Sequence, residues 1–465
     1  MRAHEAGVLH ADLGTRGPAW LRRPDDVDTM DPALWSVTAS RRADGVVEIG
    51  GVAVTDLAAE FGTPTYVLDE VDFRTRARAY RDAFEGFDVF YAGKAFLCSA
   101  VVQWAVEEGL YLDVCSGGEL ALALRAGVDP AMIGFHGNNK NEVELTRALE
   151  AGVGRVIVDS FFEIDRLEAL TESLGVRANV LVRVTAGVEA HTHEYIATAH
   201  EDQKFGFSIG EGDAFAAVTR VLDCDRLNLL GLHSHIGSQI FDTSGFEVAA
   251  RRVLALHARI ATELGVELPE LDLGGGFGIA YTSQDDPQSP HELAAGLRTI
   301  IELECRGRQL AVPRLAIEPG RAIVGPAMCT LYEVGTVKDV ALDAGATRRY
   351  ISVDGGMSDN IRTALYDADY ACTLASRCSQ GPPILSRLVG KHCEAGDIVV
   401  KDEFVAADVT VGDLVAVPGT GAYCRSMASN YNHLPRPAVV AVRDGSARVV
   451  VRRESEEDLL RLDVP

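Results

Sequence analysis

An alternation along the chain constrains its fold more than any other feature. Short runs rich in Val, Ile, Leu and Tyr recur, each followed by a segment of helical period: DVFYAGK, LYLDVCS, MIGFHG, RVIVDS, NVLVRVTA, LLGLHSHIGS, LDLGGGFG and RLAIEPGR. Stretches such as GELALALRAG and SGFEVAARRVLALHARIATELG lie in the intervals. Continuously apolar strands alternating with amphipathic helices imply a parallel sheet whose faces are covered by helices. Eight strands within roughly 240 residues predict a closed (β/α)8 TIM barrel. Seven connections separate eight strands, and the amphipathic stretch around Val71 to Phe84 supplies the missing helix.

After Arg321 the pattern changes. Short extended runs (LYEVGTV, YISVDGG, DIVVKD, DLVAVPG, AVVAVRDG, ARVVVRR) are broken by Gly, Asp and Pro, which reads as a second, mostly β domain of sandwich or barrel type. Asp444-Gly445 is its clearest hairpin turn. At the other end, residues 1–30 carry neither a helical nor a strand period and read as a mobile extension. The VVEIG and VAV runs after Asp44-Gly45 read as strands joining the β domain. The expected division is therefore 1–30 extension, 31–65 joining strands, 66–325 barrel and 326–465 β domain, which suits a chain of 465 residues.

Lys and Arg total 44 against 68 Asp and Glu, a formal charge of −24, which disfavours binding to nucleic acid or to a membrane surface. The 9 cysteines are scattered from Cys98 to Cys424 with no CxxC pair, as in a reduced cytoplasmic protein, not a disulfide framework or zinc finger. No stretch reaches the ~20 apolar residues of a membrane span. A soluble cytoplasmic protein is expected.

Function shows in what ends each strand. Lys94, Asp113, His136, Asp159, Arg183, His235, Gly274–Gly276 and Glu318 all sit at or just past a strand's carboxyl end. In a barrel those ends share the face where active sites are built. Consecutive glycines in Gly274-Gly275-Gly276-Phe277-Gly278 let backbone N–H groups approach a phosphate, although a tight βα turn also uses glycine. Neither the dinucleotide fingerprint nor the P-loop pattern is present. Glu318-Pro319-Gly320-Arg321 adds a carboxylate and a guanidinium, and Tyr91-Ala92-Gly93-Lys94 adds an amine. Together these are the requirements of pyridoxal phosphate: an amine to bind it covalently, glycines to hold its phosphate, and a carboxylate to keep its ring nitrogen protonated.

The motifs YAGKAF, LDVCSGGEL, HGNNK, EAHTHEYIATAHEDQKFG, GLHSHIGSQI, DLGGGFGI, EPGRA, DGGMSDNIRTALY, GKHCEAGDI and GTGAYC follow in order from Tyr91 to Cys424. In these the chain resembles the diaminopimelate decarboxylases, within the ornithine, diaminopimelate and arginine decarboxylases that pair an alanine-racemase-like barrel with a β domain. The N-terminal extension departs from the pattern. The resemblance implies decarboxylation of meso-2,6-diaminopimelate to L-lysine, the last step of lysine biosynthesis, with pyridoxal 5'-phosphate as cofactor. It makes Lys94 and Cys393 the catalytic residues, with Lys94 binding the cofactor covalently and Cys393 donating a proton. Asp113, Arg183, His235, Ser238, Gly274, Gly275, Gly276, Glu318, Pro319, Gly320, Arg321 and Tyr423 line the cofactor, and Arg321, Arg362, Tyr366, Glu394 and Tyr423 the substrate. It also implies a homodimer in which the HCE segment, residues 392–394, serves the partner's site.

Taken alone, these residues leave alternatives. An isolated Arg is often a structural ion pair, Cys393 could be an inert small hydrophobe, and Tyr366 and Tyr423 could be packing aromatics. Guanidinium groups at Arg321 and Arg362 suit a substrate with two carboxylates, since Arg grips carboxylate bidentately. A decarboxylase of ornithine or arginine would use them poorly. A non-catalytic pyridoxal-phosphate-binding regulator would need neither Lys94 nor Cys393. A metal-dependent barrel hydrolase is the remaining alternative. His233 and His235, two apart on a strand, could share an ion, and His191 and His193 repeat that spacing.

Overall fold

All eight apolar runs form strands of one closed sheet in the computed structural model, which describes residues 17–187, 204–341 and 347–464. They are β1 (Asp88–Ala92), β2 (Tyr111–Val114), β3 (Ile133–Phe135), β4 (Arg155–Val158), β5 (Ala178–Thr185), β6 (Leu227–His233), β7 (Glu270–Asp272) and β8 (Arg314–Ile317). Each pairs in parallel with the next, and β8 closes the ring against β1 with Ala316 opposite Asp88. With both faces covered there is no solvent side to alternate towards, so every residue of β1, β3 and β4 is buried.

The helix expected before the first strand spans Glu70–Ala83. Tyr80 from it and Phe84 just beyond it pack on Phe277, which follows β7, and Phe246 of the helix Ser244–Leu264 stacks on the same ring at 5.3 Å. The helices after β2, β3 and β4 begin within a few residues of the strand ends. Their first N–H groups are capped by Ser116, Asn141 and Ser160. These polar side chains stop the strand and start the helix, which turns the chain back over the barrel.

Charge stabilises both ends of the barrel. At the amino-terminal end the Arg155 guanidinium lies 3.1 Å from Asp88 and 3.0 Å from Glu270, bridging β4, β1 and β7. Near the carboxyl ends Lys140 of the HGNNK motif is buried, with Nζ 2.8 Å from Glu163 and donating to the carbonyls of Gly137 and Ile157. Removing one member of such a pair leaves the other charge buried and uncompensated. Lys140→Met is expected to destabilise the protein by about 3–5 kcal/mol, read as a lower chemical-denaturation midpoint, and Glu163→Leu in the same chain to recover most of it. An unchanged midpoint in the single variant would contradict this role.

Among the described residues, the second compact unit gathers those up to Phe73, Ile279–Asp286 and those from Val324 onward. Its organising strand, Met328–Ala341, changes partners after Glu333 and carries a bulge between Val334 and Thr336. Before the bulge it pairs antiparallel with Thr65–Leu68 on one edge and with Leu414–Val417 on the other. From Val334 onward the strand pairs with Thr347–Val353, across the bulge. Asp444 and Gly445 both take the left-handed conformation (φ 50° and 76°) and join Ala438–Arg443 to Ser446–Val451, as the hairpin signal predicts. Two strands carry no recognisable signal. Thr65–Asp69 is buried throughout, without alternation, and Pro383–Val389 opens on a proline and is interrupted by Ser386-Arg387.

The strand Thr65–Asp69 groups with the β unit, past the join expected at residue 65, because it lies between Met328–Leu331 and Ala438–Val442. Residues 1–16 lie outside the described residues. The rest of the expected extension carries specific contacts: the Asp28 carboxylate accepts from the Ser379 N–H at 2.8 Å, and the Arg41 guanidinium donates to the Asp28 carbonyl. Among the described residues no helix is long and apolar enough to cross a membrane.

Candidate active site

Two loops at the carboxyl ends of β6 and β7 form a cradle. Gly274 and Gly276 adopt φ of 71° and 107°, conformations that side chains disfavour. A Cβ on Gly275 would stand 2.3 Å from the Glu318 carbonyl oxygen, and one on Gly276 2.5 Å from that of Gly237. Only glycine allows this approach. The two loops are joined by hydrogen bonds from Ile240 N–H to Gly276 O and from Gly278 N–H to Ile240 O. Within the β6 loop, Ser238 Oγ accepts from Arg321 Nη2 at 2.8 Å, so the guanidinium after β8 reaches the cradle.

Lys94 follows β1 in a single turn, Gly93–Ala95, in which the lysine is exposed and its two neighbours are buried. The Ala92 N–H donates to Pro319 O, and Gly320 packs so closely on Ala92 that a Cβ would lie 2.9 Å from it. The turns bearing Lys94 and Glu318–Arg321 are thus held side by side. The Lys94 charge acts on His235, Asp113, Cys115 and Glu119. Burial, reinforced by the Lys94 and Arg183 charges, holds the His235 imidazole well below its ordinary pKa. A neutral ring results, with its Nδ1 accepting the Gly275 N–H at 3.2 Å. Arg183, buried at the end of β5, lies over the Phe205 ring at 4.3 Å and 3.8 Å from Asp159.

Glu318 is buried at the end of β8, and His136 Nε2 and His233 Nε2 come within 3.2 and 3.0 Å of its Oε1. Burial alone would raise its pKa. The two imidazoles more than offset that and hold the carboxyl well below the usual range. Asp113, 3.3 Å from His136, is pushed up to about 6 by burial and by the Glu318 charge. Neither imidazole contact to Glu318 Oε1 has hydrogen-bond alignment, leaving a buried anionic oxygen that still calls for a donor.

The remaining expected residues belong to the β unit. Arg362 is buried, its guanidinium 4.6 Å from the centre of the Tyr281 ring and donating to Tyr370 Oη at 2.6 Å. Tyr366 closes the short helix that Arg362 opens. Tyr423 holds a left-handed φ of 65°, a strained conformation for an aromatic residue. Cys393 and Glu394 are exposed, and the Cys393 N–H donates to Asn432. The neighbouring His392 is buried and fixed by Ser358 and Asn432.

Residues 70–325 match the family model for the pyridoxal-binding domain of pyridoxal-dependent decarboxylases. The chain is 58% identical over 440 residues to the diaminopimelate decarboxylase of Mycobacterium tuberculosis, covering 94% of this chain and 98% of that one. The chain belongs to the diaminopimelate decarboxylase family. The enzyme of Mycobacterium leprae is 54% identical with both chains fully covered. The crystal structure of the M. jannaschii diaminopimelate decarboxylase in complex with L-lysine superposes with a TM-score of 0.86 at 31% identity, covering 93% of this chain and 99% of that one. Diaminopimelate decarboxylases use pyridoxal phosphate, and the residues present fit it. Glycine loops joined to Ser238 and Arg321 suit its phosphate, the exposed Lys94 amine its aldehyde, and the Glu318 oxygen a protonated ring nitrogen.

The His233–His235 pairing of the metal-hydrolase alternative does not form, although His136, His233 and Glu318 do bring possible ligand atoms within 4.8 Å of one another. His235 lies beyond the end of β6, where the two-residue period no longer holds, and its ring turns to Gly275 instead of joining His233. His191 and His193 lie outside the described residues. Sequence reasoning missed what surrounds the expected residues. His136 was visible only as a strand-end residue of HGNNK, and Tyr281 and Tyr370 carried no signal at all.

Proposed function

We propose that this chain decarboxylates meso-2,6-diaminopimelate to L-lysine and carbon dioxide as the last step of lysine biosynthesis, in the cytoplasm and as a homodimer. The observation that carries the reading is identity of 58% over 98% of a diaminopimelate decarboxylase, together with the Lys94, glycine-loop and Glu318 constellation. Nine free thiols are consistent with a reducing compartment.

Bound pyridoxal phosphate supplies the electron sink for the pair released when the bond between Cα and the carboxylate breaks. The protein supplies position. Lys94 would hold the cofactor covalently through its amine. Glu318 would keep the ring nitrogen protonated, and the neutral His235 would offer a flat ring to the cofactor. The carboxylate leaves as carbon dioxide, and the Cys393 thiol delivers a proton to Cα in its place. Arg321, Arg362, Tyr366 and Tyr423 receive the substrate, with Arg362 gripping a carboxylate and Glu394 an ammonium group. Exposure of Cys393 and Glu394 fits residues that act in the partner's site.

Substrate selection tests the reading. Wild type is expected to use meso-diaminopimelate and to ignore ornithine and arginine, which lack a second carboxylate. Arg362→Ala should lower kcat/KM for diaminopimelate by roughly tenfold to a hundredfold, the range for losing a charged hydrogen bond, with circular dichroism confirming the fold. Unchanged kinetics in that variant would remove Arg362 from the substrate pocket. Turnover of ornithine in place of diaminopimelate would replace the proposed substrate.

A further inference from the structure

Asp113, Asp272 and Glu318 end β2, β7 and β8, and all three carboxyl groups are buried. Carboxylates gathered in a low-dielectric site cannot all stay ionised without a counter-charge beside them. Burial, with the charges of Glu318 and Asp113, drives the Asp272 carboxyl well above its ordinary range. Glu318 has to remain the anion if it is to hold a proton on the cofactor's ring nitrogen.

His136 stands where that choice is made. Its Nε2 lies 3.3 Å from Asp113 Oδ1 and 3.2 Å from Glu318 Oε1, so one imidazole nitrogen links two acids from strands on opposite sides of β1. His233 meets Glu318 alone, at 3.0 Å, and its ring stands edge-on to that of His136 with centroids 5.0 Å apart. The two imidazoles face opposite electrostatic situations. Burial works against a charge on His136, but Glu318 and Asp113 outweigh it and raise its pKa well above the ordinary value. Burial dominates at His233 and lowers it to about 4 despite Glu318. Cys115, Glu119, Asp159, Asp272 and His233 also feel the His136 charge. The same cluster pushes the two imidazoles in opposite directions, His136 towards the charged form and His233 towards the neutral one.

We propose that His136 is a positioning residue, an imidazolium bridge between Asp113 and Glu318 that keeps Glu318 anionic and aimed at the ring nitrogen of pyridoxal phosphate. His233 lies beside the same oxygen, its Nε2 3.0 Å away. The inference rests on Glu318 as the ring-nitrogen partner, and the test separates the two claims.

His136→Gln keeps polar hydrogen-bonding capacity at similar size but removes the charge, and His136→Asn repeats the test where the longer amide is not accommodated. Each is measured beside Glu318→Gln and the His136→Gln/Glu318→Gln double variant. Four readouts are taken: thermal midpoint, affinity of apoprotein for pyridoxal phosphate, pH dependence of the bound cofactor's visible absorbance, and kcat against KM. His136→Gln is expected to fold, to bind the cofactor roughly tenfold to a hundredfold more weakly, to shift the pH profile of the visible band, and to lower kcat more than it raises KM. Because His136 acts through Glu318, adding His136→Gln to Glu318→Gln should change the cofactor affinity little further. A folded His136→Gln protein with wild-type affinity and pH profile overturns the proposal, as do fully additive losses in the double variant. A Glu318→Gln protein with an unaltered cofactor spectrum overturns the ring-nitrogen reading beneath it.

Discussion

Lys94→Ala is expected to lose, in one step, both the borohydride-reducible link to the cofactor and turnover. Its place supports this outcome: Lys94 is exposed in a turn whose neighbours are buried, beside the Glu318–Arg321 turn, and its charge reaches His235 and Asp113. Removing a covalent catalytic group costs roughly three or more orders of magnitude in kcat. The fold should persist, because an exposed side chain contributes little to packing. Cofactor should still enter the cradle, held by the glycine loops and by Ser238 with Arg321, but it should wash out on dialysis. A Lys94→Ala protein that retained a reducible cofactor link would move the covalent role to another amine.

Cys393→Ala should also be nearly inactive, and mixing it with Lys94→Ala should restore activity. On the proposed shared site, a heterodimer of the two variants assembles one site with both residues intact and one with neither. Half of the dimers in an equal statistical mixture are heterodimers, so roughly a quarter of wild-type activity should return. Exchange of subunits has to be confirmed by tagging the two variants differently. Tagged heterodimers as inactive as their parents would mean that Cys393 serves its own subunit or does not donate the proton.

The barrel was legible because its strands face protein on both sides, so they appear as unbroken apolar runs such as RVIV, alternating with segments of helical period. Asp444-Gly445 was legible because a two-residue hairpin requires positive φ. Thr65–Asp69 was not, since its place in the β unit depends on partners more than 250 residues away. Residues Ile279–Asp286 likewise leave the barrel's stretch of sequence and group with the β unit, an association no local pattern encodes. The site divides along the same line. Lys94, the glycine triplet and Glu318 announce themselves at strand ends. His136 acquires its meaning only when β3 and β8 bring it within 3.2 Å of Glu318, and Tyr370 only when it accepts from Arg362.

The balance of products decides whether this chain runs the reaction. Purified protein loaded with pyridoxal phosphate and given meso-diaminopimelate should release one carbon dioxide for each L-lysine formed, and removal of the cofactor should stop both. Failure to form lysine with the cofactor bound, or release of carbon dioxide from ornithine or arginine instead, would contradict the account.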